Sequence, residues 1–330
     1  MTHTTGSILV GIDEAGVGPL LGPMTIGYAV LRVPKPDDDP WKLLNRVVTR
    51  NPKRDKRRLV VADSKKVFTR NGRGRRRLEA TVLATLAQLR QDLRPPQDPR
   101  ELLFGPLRPR RELIDDHPWY EHLPKHLPRF VEARRVELDA SLLERHMSRT
   151  GCKLLDAGVR IVPAGELNDS YDLTENKSLS VWSKSLEVLR HTWRTYGANS
   201  PWVVLDRQGS RSRYGSLLAR GLRSASVRLV REDVGLSEYE LEERGGGERR
   251  MRLVIVERAE EIAFAVALAS CLAKYARELV MEGFNAYFAG LQPGLRPTAG
   301  YRTDANRWLS DAKPALRRAQ LPQRVLVRAR

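Results

Sequence analysis

The sequence predicts a mixed α/β fold. Three observations carry this reading. A short apolar strand pattern opens the chain and is followed by a second, three further apolar runs come after residue 200, and a long helical pattern covers residues 259–283. Strands early and late, with helices beside them, suit a sheet covered by helices better than a bundle or a sandwich.

Residues 7–12 (SILVGI) are a short buried strand, a Gly-rich turn follows, and residues 24–33 are a second apolar strand. Residues 34–58 are charged and carry Pro34, Pro36, Pro40 and Pro52, which marks most of them as loop. Leu78, Val82, Leu83, Leu86 and Leu89 recur at helical spacing and predict a helix over about 76–89. Between 94 and 130, eight prolines among arginines and histidines indicate an irregular insertion outside the core. A helix over 138–147 and a strand over 158–162 follow, then a helix over 179–193. Strands are expected at 202–205, 227–230 and 252–256. In the helix over 259–283, Ile262, Val266, Ala269, Ala273 and Leu279 line one face. The tail from Asp304 holds one more helix and ends in a basic stretch, and no internal repeat is visible. We expect one domain over 1–330, with an insertion at about 90–170 and a helical C-terminal region at about 285–330.

Fifty-eight lysines and arginines stand against 40 acids, a formal charge of +18. That excess points to a polyanionic partner, held through phosphate contacts and counterion release. Cys152 and Cys271 are far apart and make no disulfide framework, which fits a reducing compartment. The start, MTHTTGSILVGIDEAG, lacks a basic leader region, and no stretch reaches the length of an uncharged membrane span. The expectation is therefore a cytoplasmic monomer without membrane association.

Acids recur where apolar segments end. Asp13 and Glu14 close the first strand, where a turning chain would let both approach one cation. Gly16, Gly18 and Pro19 then make a tight turn whose backbone can come close to a ligand. A dinucleotide-binding reading of Gly16-x-Gly18 fails, because the third glycine is misplaced and a strand, not a helix, follows. Asp206 ends the run PWVVLD, and Glu257, Glu260 and Glu261 cluster at the start of the long helix, where acids also complement the helix dipole. Clustered carboxylates raise one another's pKa unless a cation neutralises them, and hard oxygen ligands select Mg²⁺ or Mn²⁺ over zinc. Such a cluster beside a basic surface suits metal-assisted phosphodiester hydrolysis. There is no G-x-S-x-G turn for a serine nucleophile, and His117, His122 and His126 lie without nearby cysteines, which disfavours zinc.

Five ordered blocks resemble ribonuclease HII. The family's DEAGRGPLAGP is similar to DEAGVGPLLGP at 13–23, and its DSKKL to Asp63-Ser64-Lys65-Lys66-Val67. Its strand ending in a single Asp is similar to 203–206, its ASIxAKxxRD to 269–278, and its KGYxT to 299–303. The match covers roughly 7–67 and 176–320, and 90–170 has no counterpart. The resemblance implies a ribonuclease H-like fold, a mixed five-stranded sheet flanked by helices, with a C-terminal helical extension and one large insertion. It implies an endonuclease that hydrolyses the RNA strand of RNA–DNA hybrids with Mg²⁺ or Mn²⁺, leaving a 5′-phosphate. The metal-binding, catalytic acids fall on Asp13, Glu14, Asp206 and Glu260, the last found by counting fourteen residues back from Lys274. Glu257 and Glu261 are the alternatives if the register differs. Substrate contacts fall on Gly16, Val17 and Gly18, where the backbone would meet the ribose 2′-hydroxyl, and on Lys65, Lys66, Lys274 and Tyr301. Val17 stands where the family has a basic residue, Arg207-Gln208 where it has Gly-Asn, and Asn306 where it has His. These departures keep two other readings open: a nuclease preferring DNA structures, and a nucleic-acid-binding protein without catalysis.

Overall fold

The computed structural model describes residues 6–53, 57–69 and 71–329; the first five residues and Arg330, the end of the basic tail, lie outside them. Its centre is a sheet of seven strands: β1 (Ser7–Ala15), β2 (Met24–Val33), β3 (Lys153–Val162), β4 (Trp202–Asp206), β5 (Ala225–Asp233), β6 (Leu236–Glu243) and β7 (Arg250–Val256). Across the sheet the order is β3-β2-β1-β4-β7-β6-β5. β2 is antiparallel to both of its neighbours, β1 and β3, while β1, β4 and β7 run parallel. The mixed five-stranded sheet expected of a ribonuclease H-like fold is therefore present. The antiparallel pair β5–β6, formed between β4 and β7 in the chain, adds two strands and extends it to seven.

Two helices cover the faces. On one face lies α7 (Phe264–Leu291), and on the other α5 (Lys177–Tyr196). Glycines set how closely α7 approaches. A Cβ on Gly11 would sit 2.0 Å from the Ala265 carbonyl carbon, and one on Gly27 2.0 Å from the Ala269 oxygen. Helix backbone and sheet backbone are thus in direct contact there. The opposite face buries Ile8, Val10 and Ile12 with Trp182, Leu186, Leu189 and Trp193 of α5. This alternation along β1 is the period of two that a strand imposes.

Several expectations need correction. β1 runs to Ala15, because its pairing with β2 continues to Ala15 opposite Thr25, so Asp13 and Glu14 lie within the strand rather than beyond it. The loop 34–58 contains a short helix (Pro40–Leu43) and the strand Val48–Thr49, paired with Leu59–Val60. Residues 94–130 are not outside the core. They hold short helices, one closed by a capping box between Asp98 and Glu101, and they bury Trp119 against Phe284 and Phe288 of α7. Residues 153–162, within the segment read as an insertion, are a strand of the central sheet.

The remaining helices are α1 (Ser64–Val67), α2 (Gly72–Ala87), α3 (Ala133–Thr150), α4 (Ala164–Thr174), α6 (Ala259–Ile262), α8 (Arg302–Asp311), α9 (Lys313–Ala319) and α10 (Gln323–Leu326). The helix expected over 259–283 is two, since Ala263 is extended and separates α6 from α7. Among the described residues no helix is long and apolar enough to cross a membrane.

Candidate active site

The parallel strands β1, β4 and β7 end side by side, the position where open α/β sheets gather functional groups. A cleft of about 580 Å³ opens there. Asp13, Glu14, Asp206 and Glu260 all line it, drawn from two strands and from the turn after a third.

Because β1 is still a strand at residues 13 and 14, its two acids leave opposite faces. Asp13 is on the α7 side, where Ser270 hydrogen-bonds it. Glu14 is on the α5 side, where Ser185 Oγ donates to Glu14 Oε1 at 2.7 Å and the Gln208 amide donates to the same oxygen. Gln208 also donates to Ser185 Oγ at 2.7 Å, closing a three-membered network. Asp206 ends β4 and accepts from the Ala259 amide at 3.0 Å. Glu260 follows on α6, and its Oε2 is buried without a hydrogen-bond partner.

All four carboxyls are pushed upward in pKa, and burial is the first cause in each. For Asp13 the rise is large; the Glu14 charge adds to it, Ser270 opposes it, and Asp206 adds again. For Glu14, hydrogen bonds from Ser185 and Gln208 oppose the rise. For Glu260 the charges of Asp206 and Asp63 add, and Lys65 opposes. Mutual repulsion of buried acids is what a divalent cation relieves, and an unpartnered glutamate oxygen offers it a hard ligand. The donor set therefore fits Mg²⁺ or Mn²⁺. Among the described residues no three His, Cys, Asp or Glu side chains stand as a ready cage for one ion.

The alternatives to Glu260 are engaged elsewhere. Glu257 is paired with Arg207, and Glu261 with Lys66 at 2.8 Å and Arg258 at 2.6 Å. Lys66 is exposed and lies outside the lining of the cleft. Lys65 and Lys274 do line it; Lys274 Nζ is 2.6 Å from Glu278 and 4.4 Å from the centre of the Phe68 ring. Gly16, Val17 and Gly18 form the rim. Gly16 has φ 79°, a left-handed conformation that favours glycine, whereas a Cβ on Gly18 would meet nothing within 4 Å. Tyr301 is half exposed at the edge, its ring centre 5.7 Å from the Arg277 guanidinium. Sequence reasoning missed Ser185, Gln208, Ser270 and Asp63. Asp63 and Ser270 lay inside blocks already singled out and Gln208 stood out as a departure from the resemblance, whereas Ser185 carried no local signal.

No protein-family model matches the chain, and no curated protein does. Solved structures do match. One is the ribonuclease H2 from Pyrococcus horikoshii OT3, with 16% identity, 97% of this chain and 92% of that chain covered, and a TM-score of 0.44. A second comes from the structure of the PCNA:RNase HII complex of Archaeoglobus fulgidus, with 15% identity, 98% and 94% covered, and a TM-score of 0.43. A third is Bst-RNase HIII in complex with Mn²⁺, with 13% identity, 96% and 72% covered, and a TM-score of 0.39.

Proposed function

We propose that this protein is an endonuclease that hydrolyses the RNA strand of RNA–DNA hybrids with Mg²⁺ or Mn²⁺. The observation that carries the reading is Glu260 Oε2, buried and unpartnered in a cleft shared with Asp13, Glu14 and Asp206. In a chain of charge +18, an acidic cluster at the floor of a cleft would only repel a phosphodiester unless metal ions reverse its sign.

Asp13, Glu14, Asp206 and Glu260 would hold the ions. Bound there, they would supply Lewis acidity and an activated water. The chain's own groups have separate tasks. Ser185 and Gln208 fix the Glu14 carboxylate and keep it more acidic than burial alone would. Lys65 and Lys274 bring positive charge to the cleft for substrate phosphates. The backbone amides of Val17 and Gly18, which make no hydrogen bond within the described residues, are available to the ribose 2′-hydroxyl, the group that distinguishes RNA from DNA. Tyr301 offers an exposed ring for stacking.

The test is a labelled RNA–DNA hybrid incubated with Mn²⁺ and either wild type or Asp13→Asn. Cleavage by wild type alone, leaving a 5′-phosphate, is expected, and equal rates would dispose of the catalytic role. A binding protein without hydrolysis is the second reading, favoured by the lack, among the described residues, of a ready cage for one ion. Tight hybrid binding with no cleavage under any divalent ion would select it.

A further inference from the structure

The C-terminal arm returns to the cleft. Leu21 and Val327 form an antiparallel bridge, and the Arg328 amide donates to Leu20 O at 3.0 Å. Asn168 of α4 clamps the arm from behind. Its amide group donates to Arg324 O at 2.7 Å and Val327 O at 2.8 Å, and its oxygen accepts from Ala329 N at 2.6 Å. So anchored, Arg328 inserts beneath the Gly16–Gly22 turn with 4% of its surface exposed. Its Nε and Nη2 donate to Gly22 O at 2.8 and 2.6 Å, and its Nη1 donates to Gly16 O.

A second buried guanidinium lies beside it. Arg277 of α7 is 1% exposed, donates through Nη2 to Leu21 O and to Ala299 O at 3.0 Å, and leaves Nε and Nη1 without partners. Among the described residues neither arginine has a carboxylate of its own. Glu278, the acid acting on Arg277, is taken by Lys274, and the groups acting on Arg328 are Arg277, Tyr120 and Tyr301. Burying two like charges together costs free energy, so a purely structural staple would be better made with neutral donors. The pair has two effects on the turn. The carbonyls of Gly16, Leu21 and Gly22 are drawn down onto the guanidinium groups, while the Val17 and Gly18 amides stay unpaired at the cleft. Arg277 also lines the cleft itself, so the positive charge of the pair reaches its wall.

We infer that Arg328, together with Arg277, is a positioning residue for the Gly16–Gly22 turn, so that the C-terminal arm completes the substrate-binding wall of the cleft. The substrate class is that of the proposed function, a nucleic-acid strand, on which this inference rests. Loss of Arg328 weakens substrate binding more than it slows the chemical step, because the four acids do not touch the arginine.

The experiment compares full-length wild type, Arg328→Met and Arg328→Lys at a temperature well below their melting points. Steady-state cleavage of a hybrid with Mn²⁺ is measured, and equilibrium binding of the same hybrid with Ca²⁺, a hard divalent cation, in place of Mn²⁺ is measured beside it. Folded Arg328→Met is expected to raise KM by about tenfold with kcat changed by less than about threefold. Arg328→Lys, which keeps the charge but presents one donor point to two carbonyls, is expected to recover part of the loss. A folded Arg328→Met with wild-type KM overturns the inference. If Arg328→Met does not fold, Arg328→Lys decides: an intermediate KM supports the role and a wild-type KM overturns it. Wild type that binds the hybrid yet cleaves nothing sinks the nuclease reading alone, and the arm is then judged on affinity. A fall of about tenfold in Arg328→Met, or a partial fall in Arg328→Lys if only that variant folds, supports it, and unchanged affinity overturns it. Wild type that does not bind the hybrid overturns both.

Discussion

The Ala259 amide donates to Asp206 Oδ1 at 3.0 Å, tying the acid that ends one parallel strand to the turn that presents Glu260. Arg258, in the left-handed region at φ 56°, makes the sharp change of direction that this bond requires. The third and fourth acids of the cleft are thus coupled through backbone, not left to independent rotamers.

From this coupling comes a prediction that separates three neighbouring glutamates. Glu260→Gln is expected to lower hybrid cleavage by about 100-fold or more, with little change in melting temperature. Glu257→Gln and Glu261→Gln lose only surface ion pairs and should stay within about threefold of wild type. Single-turnover rates of the three variants check this. A dead Glu261→Gln beside an active Glu260→Gln would shift the register of the fourth acid.

Ser185→Ala and Gln208→Leu each remove a hydrogen bond that holds the Glu14 carboxyl down against burial. The acid limb of the pH–rate profile is expected to move to higher pH in both variants, with a stability loss of about 1–2 kcal/mol. Rate profiles and chemical denaturation read the two effects separately.

The raised acids also fix how stability responds to pH without metal. A carboxyl whose folded pKa lies above its unfolded value binds more protons when folded between the two values. Its stabilising protonation is complete below the ordinary values of 3.8 and 4.5, and it is lost as pH rises through the raised folded values of Asp13, Glu14, Asp206 and Glu260. These groups therefore make the metal-free protein less stable toward neutral pH. Mn²⁺ reverses the preference by holding the ionised forms, so the melting-temperature increase on adding Mn²⁺ should be larger at pH 8 than at pH 5. An increase that is equal at both pH values would argue against carboxylate ligation.

Three glycines make a graded test of the backbone. Gly11→Ala forces a Cβ to 2.0 Å from the α7 backbone and should cost about 3 kcal/mol or prevent folding. Gly16→Ala combines a left-handed φ with a Cβ 2.4 Å from Arg277 Nε, so it should disturb both turn and arginine. Gly18→Ala meets open space and should fold as wild type, yet it places a methyl at the cleft rim and should raise KM for a hybrid. Thermal melts and KM values together check the series.

Much of the fold was legible because period and composition agree locally. The apolar run in 24–33, the run PWVVLD and the helical stripe after 264 each correspond to an element at that place. What was missed depends on remote partners. β6 alternates buried Ser237, Tyr239 and Leu241 with outward acids, a true period of two obscured by Glu238, Glu240 and Glu242. The length of β1 is set by β2, so the opposite facing of Asp13 and Glu14 could not be read from the residues of β1 alone. Ser185 and Gln208 reach Glu14 across 171 and 194 residues of chain, so their contact with it depends on the fold and not on their neighbours in sequence. Trp119 joins the core despite a proline-dense neighbourhood, because the short 3-10 turn Pro118–His122 sets its ring against Phe284 and Phe288 of α7.

The most direct test is a Mn²⁺ titration at pH 8, by calorimetry or by loss of the free-ion paramagnetic signal, on wild type and on Asp206→Asn. Saturable binding to wild type, abolished or weakened by about tenfold or more in Asp206→Asn, is the predicted result. Equal binding to both proteins, or no saturable binding to either, would contradict a metal centre built on these carboxylates.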